Sequence, residues 1–232
     1  MELPGFKRGR PVRLFLYSFA GIPILFADCI LLYVFPGQFP ALSSREEGWI
    51  LAGGAAFYFL LHFFLRKPER MNLWAHEFAH LVVAKIFLRK VHAFQITSRD
   101  GGKVVIDRTN VMIDLAPYIF PLYSLAAACA ACFLRNAAPW VPDAYLAVAS
   151  FLFTMHLVFS AEGFFRGQPD VKRSGRLFSG AVVLLCLMLW IPCLLAPGTN
   201  AGWKGALAAY RGLLGAGWEA GRGLFLYGMA LF

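Results

Sequence analysis

Trp74-Ala75-His76-Glu77-Phe78-Ala79-His80 sets an H-E-x-x-H pattern inside an apolar run, and the rest of the chain is read outward from it. Two histidines four apart on a helix lie about 40° apart around the axis, so both imidazoles can reach one metal ion. A glutamate directly after the first histidine sits beside the same point, placed to take a proton from water there. Three ionisable groups on an apolar helix are costly without a task, which favours a metal site over two packing histidines and a stray acid. The helix extends from about Asn72 to Leu88 and ends in Arg89-Lys90. Beyond it, Val91–Thr97 and Lys103–Asp107 carry β-type residues on either side of Asp100-Gly101-Gly102, which predicts a β-hairpin. The edge of such a hairpin could pair with an extended peptide, satisfying backbone groups in a poorly solvated place.

Composition places this helix in a membrane. Hydrophobic residues make up 59% of the 232 residues, charged residues only 15%, and 23 are Phe. The mean hydropathy is +0.61. Several apolar runs reach the roughly 17–25 residues needed to cross a hydrocarbon core. They lie at about Leu14–Phe35, Trp49–Leu65, Asn72–Leu88, Val111–Leu134, Ala144–Phe165 and Leu177–Ala196. The fold class expected is therefore an all-α polytopic membrane protein of about six transmembrane helices, in one domain spanning residues 1–232, with the short hairpin after the histidine-bearing helix. Residues 203–232, rich in Gly, Ala and Leu, read as an interfacial amphipathic helix or a weakly apolar further span. The net charge of +9 resides in short basic loops, as the positive-inside rule expects, and calls for a lipid bilayer rather than nucleic acid as partner.

Polar groups inside the spans are few. Asp28 in the first run either faces the bundle interior or snorkels to the far interface. All five cysteines fall in apolar runs with no disulfide pattern, and Cys129-Ala-Ala-Cys132 reads as small residues at a packing face. His62 reads as a packing or interfacial histidine. Pro117 and Pro121, four apart, predict a kink or break in the fourth run.

A catalytic zinc keeps three protein ligands and one open position, so His76 and His80 need a third partner. Neither the downstream glutamate of soluble gluzincins nor the closely spaced third histidine of metzincins follows His80. Asp170, His156, Asp114 and Glu162 remain. An H-E-x-x-H in an apolar helix, then a hairpin, then a distant aspartate after proline resembles the site-2 protease family of intramembrane zinc metalloproteases. In that family the third ligand is an aspartate, often in an N-P-D-G or L-D-G setting, roughly ninety residues after the second histidine. Here Gln168-Pro169-Asp170 lies 90 residues after His80, although Val171 stands where the family has glycine. Gly101-Gly102-Lys103-Val104-Val105 and Ala116-Pro117-Tyr118-Ile119-Phe120-Pro121-Leu122-Tyr123 also resemble a bacterial branch, and the likeness covers about residues 72–180.

The resemblance implies Zn2+ held by His76, His80 and Asp170, with His156 as the alternative third ligand and Glu77 as general base. It implies substrate contacts at Gly101, Gly102 and Asn110, though Asn110 reads equally as a helix cap. The implied substrates are transmembrane protein segments, cleaved within or beside a bacterial inner (plasma) membrane. Two rival readings stay open: a non-catalytic zinc-binding membrane scaffold, and a transporter with the histidines as an ion site. Topology poses a conflict as well. The basic segments at 66–70, 88–108 and 166–176 cannot all be cytoplasmic if every apolar run crosses.

Overall fold

The computed structural model describes residues 10–65, 67–97 and 101–229. The basic residues Lys7, Arg8 and Arg66 and the hairpin residues Ser98, Arg99 and Asp100 lie outside them. In order the elements are α1 (Arg10–Val34), a 3-10 turn (Phe35–Gln38), α2 (Phe39–Leu42), α3 (Arg45–Phe64) and α4 (Glu69–Ile86). The strands β1 (Val91–Thr97) and β2 (Gly101–Ile106) follow. Then come α5 (Val111–Ile119), α6 (Leu122–Leu134), α7 (Val141–Arg166), α8 (Pro169–Ser174), α9 (Arg176–Leu195) and α10 (Gly202–Met229).

Four of these segments are long and apolar enough to cross a membrane: Leu14–Leu42, Arg45–Phe64, Val141–Arg166 and Arg176–Leu195. A fifth is reached if α5 and α6, bent by 66° at their junction, count as one broken span. The expected six is not reached, and α4 is one of the runs that fall short. Its Glu69-Arg70-Met71-Asn72 start, with His76, Glu77, His80 and Lys85, leaves it too polar to qualify. Without a crossing at α4 the topological conflict does not arise. The start of α1, the end of α3, α4, the hairpin, the end of α7, α8 and the start of α9 gather at one end of the bundle. Contacts such as Lys67 with Glu162 and Tyr17 with Phe178 tie them together. The three basic segments can share one side because α4 does not have to cross.

Small residues set the helix spacing. A Cβ on Gly54 of α3 would strike the Ala147 carbonyl oxygen of α7, and Ser150 donates a 2.6 Å hydrogen bond to the Leu51 carbonyl beside it. On the other side of the bundle, a Cβ on Gly21 of α1 would come within 2.9 Å of the Phe178 backbone in α9. Without a hydrophobic drive between lipid-immersed helices, such close backbone approach is the main attraction. Asp28 faces inward: it is fully buried, lies near Cys186 of α9, and neither carboxyl oxygen has a hydrogen-bond partner among the described residues.

The opposite end is pinned by polar caps. Ser44 and Glu47 form a capping box at the start of α3, and the second Glu47 oxygen accepts the Asn200 N–H at 2.6 Å. Arg135 donates to the Thr199 carbonyl. The tail is one helix, α10, that runs back along α1, with Gly205 against Ala41, Gly212 against Gln38, and Gly217 and Gly221 near Ile30. Cys129 and Cys132 are free and exposed, and it is Ala131 between them that packs into the bundle.

Gly54→Val forces α3 off α7 and costs about 1–3 kcal/mol in a reversible unfolding titration in mixed micelles. Gly53→Val, where an added Cβ has nothing within 4 Å, stays within about 0.5 kcal/mol of the parent.

Candidate metal centre

The site forms where α4, α5 and α8 meet. The i, i+4 spacing on α4 puts His76 and His80 on one face, with ring centroids 5.0 Å apart. Asp170 reaches them because of how α7 ends. Gly167 takes a left-handed conformation (φ 69°) that reverses the chain, and Pro169 opens α8 at its first position, where a missing N–H costs nothing. Asp170 then stands in the first turn of α8. Its Oδ2 lies 3.5 Å from His76 Nε2 and 3.4 Å from His80 Nε2. One donor atom from each of the three residues lies within 4.8 Å of the others, so the trio could hold a metal ion. Val171, in the place of the expected glycine, is fully buried against Leu115, Tyr118 and Ile119 and anchors α8 to α5.

Burial alone pushes the Asp170 carboxyl up. Hydrogen bonding and charge from His76 and His80 outweigh it and hold the acid well below the usual carboxylate range.

Behind the trio, α5 supplies orienting groups. His80 Nδ1–H donates to the Ile113 carbonyl at 2.7 Å, which turns Nε2 toward Asp170 and the ligand point. That carbonyl is available for a local reason: the residue four on, which would donate to it in a regular helix, is Pro117, and proline has no N–H. The break at Phe120-Pro121 frees a second carbonyl. Leu122 N–H bonds Phe120 instead of Tyr118, and the Tyr118 carbonyl accepts His156 Nε2–H at 3.0 Å. Tyr118 meets His76 edge-on at 5.6 Å and donates its hydroxyl to Gln168 at 2.7 Å.

Glu77 shares a cavity of about 1000 Å3 with the three candidate ligands. The hairpin closes over it. The strands pair antiparallel, with Thr97 opposite Gly101 and Ile96 opposite Gly102, so both glycines begin β2 rather than form the turn. An added Cβ on Gly102 would overlap Glu77 Cγ and lie 3.1 Å from Oε1, which makes glycine the residue that lets β2 rest on this side chain.

The remaining sequence candidates have other partners. His156 spends Nε2 on the Tyr118 carbonyl and is not in the trio. Asp114 is paired with Arg173 at 2.8 Å and accepts from Thr109. Glu162 is paired with Lys67 at 2.7 Å and Arg166 at 2.9 Å. Asn110 is the N-cap of α5, its side chain accepting the Ile113 N–H at 2.9 Å. Sequence reading passes over Ile113 and Arg173, and it takes Pro117 as a kink and Tyr118 as part of a family-like segment rather than as supports of the ligands. The signals available were a proline four residues after a carbonyl and an arginine three residues after an aspartate on a short helix. No family model, curated protein or solved structure matches the chain.

Elemental analysis of purified protein should find that His76→Ala, His80→Ala and Asp170→Ala each lose bound divalent metal, while His156→Ala retains the parent's content.

Proposed function

We propose that this chain is a membrane-embedded zinc peptidase, in keeping with its resemblance to the site-2 proteases. The reading is carried by one observation: two helical histidines and a remote aspartate converge in a cavity that a glutamate adjacent to the first histidine also lines. The donor set favours zinc, since imidazole, imidazole and carboxylate are familiar zinc ligands.

His76, His80 and Asp170 would hold the ion. When bound, zinc supplies polarisation of a peptide carbonyl and makes water acidic enough to lose a proton near neutral pH. Glu77 takes that proton and delivers it to the leaving amine nitrogen. His80 is kept in the ligating tautomer by Ile113. The cavity, about 1000 Å3, is roomy enough for a short extended polypeptide. Gly102, Lys103, Val104 and Ile106 of β2 line it, and in the two-stranded sheet β2 has no partner on its outer edge among the described residues. A substrate strand added there gains backbone hydrogen bonds as it unwinds. Lys67, Arg70, Lys103, Arg166, Lys172 and Arg176 stand at this end of the bundle, so the positive-inside rule turns the site toward the cytoplasm.

Incubation of purified protein with a detergent-solubilised single-span substrate tests the reading. Glu77→Gln should keep zinc while lowering kcat by about 10²–10⁴-fold, and a chelator should abolish cleavage. Full activity in Glu77→Gln sinks the mechanism, and stoichiometric zinc without turnover in the parent favours the scaffold reading. Gly102→Ala should lower kcat with zinc content unchanged, because the added methyl displaces Glu77 and not a ligand.

A further inference from the structure

The two oxygens of Asp170 face different neighbours. Oδ2 points at both imidazoles, whereas Oδ1 lies 3.8 Å from Arg173 Nη1, one turn along α8. The same Nη1 is 2.8 Å from Oδ1 of Asp114, a buried carboxylate in the first turn of α5. Thr109 donates to that Asp114 oxygen from the loop before α5. Arg173 is thus fixed from behind by α5 and presents the rest of its positive charge to the outer oxygen of the candidate ligand. A guanidinium suits this task because it is permanently charged and offers donors in a rigid plane.

We propose that Arg173, fixed by Asp114, is a positioning residue that holds Asp170 to ligation through Oδ2 alone and so keeps one position at the metal free. The inference rests on the metal-site reading above and deepens it. A carboxylate without a partner on its second oxygen can swing to bind through both, which fills the position a catalytic ion needs open. Asp114 and Arg173 matter through the geometry of Asp170, and neither touches the ion.

Cobalt(II) titration of the full chain in detergent, followed by its visible d–d absorption and by competition with a chromophoric chelator, tests the proposal. The parent should show the intense bands of four-coordinate cobalt. Arg173→Ala and Asp114→Asn should each weaken cobalt affinity by about 10–100-fold and shift the spectrum toward the weaker bands of higher coordination. Arg173→Lys should recover part of both, and the double variant should lose no more than the worse single one. Arg173→Gln, close in size and uncharged, guards against a packing defect, and all variants are compared at equal folded fraction by thermal melting. Affinity within about twofold of the parent and an unchanged spectrum in both Arg173→Ala and Arg173→Gln would overturn the proposal while leaving the metal site standing. Absence of cobalt binding in the parent overturns the metal site, and this proposal with it.

Discussion

The hydrogen bond from His80 Nδ1 to the Ile113 carbonyl is the constraint on which the site depends. An imidazole on a helix can rotate and can carry its proton on either nitrogen, and only one of those arrangements presents Nε2 to a shared ion. A regular helix would offer no carbonyl for the purpose, because each is already bonded to the N–H four residues ahead. Pro117 removes that donor at the one place where α4 presents His80. Pro117, together with the break at Phe120-Pro121, makes α5 a good back wall: Ile113 serves His80, Tyr118 abuts His76, and Val171 packs on Leu115 and Ile119 to seat the helix that carries Asp170. Local disorder in the hydrogen-bond ladder is exchanged for order in the site.

What was legible in the sequence follows the range of the interaction. The histidine pair, the hairpin strands and the proline break are set by spacings within about a dozen residues, and each is present. The crossing number was overread at α4, although the sequence holds the reason: Glu69, Arg70, Glu77 and Lys85 make it too charged for a span, and its apolar residues pack on α5 and the hairpin. Asp170 came to notice through a family resemblance, and the choice between it and His156 depends on which way each side chain points across α5. His156 turned out to be spent on a backbone carbonyl exposed by the break. That detail exists only once α5, α6 and α7 are assembled.

The bundle separates two physical jobs. The seams between α3 and α7 and between α1 and α9 are close, glycine-spaced contacts that give a stiff apolar frame. The polar elements (α4, the hairpin and α8) are gathered at one end of that frame, where charged groups pair with one another instead of facing lipid. Glu162 with Lys67 and Arg166, and Asp114 with Arg173, are instances of this pairing. Surface ion pairs contribute little to stability. Here their value is in holding acids and bases at fixed places around a shared cavity.

Asp28 has a consequence for biogenesis. As α1 emerges it offers the membrane a strongly apolar run, mean hydropathy 2.0, interrupted by one acid. Insertion scales set the cost of an aspartate at mid-helix at about 2.5–3.5 kcal/mol, which such a run can absorb. In the finished bundle that acid is shielded on the side of α9, a helix synthesised far later in the chain, and α10 then lies along the same stretch of α1. Translation therefore delivers α1 to the bilayer long before the chain can deliver its shield. Among the described helices, the first in the chain waits on the last two for its shield.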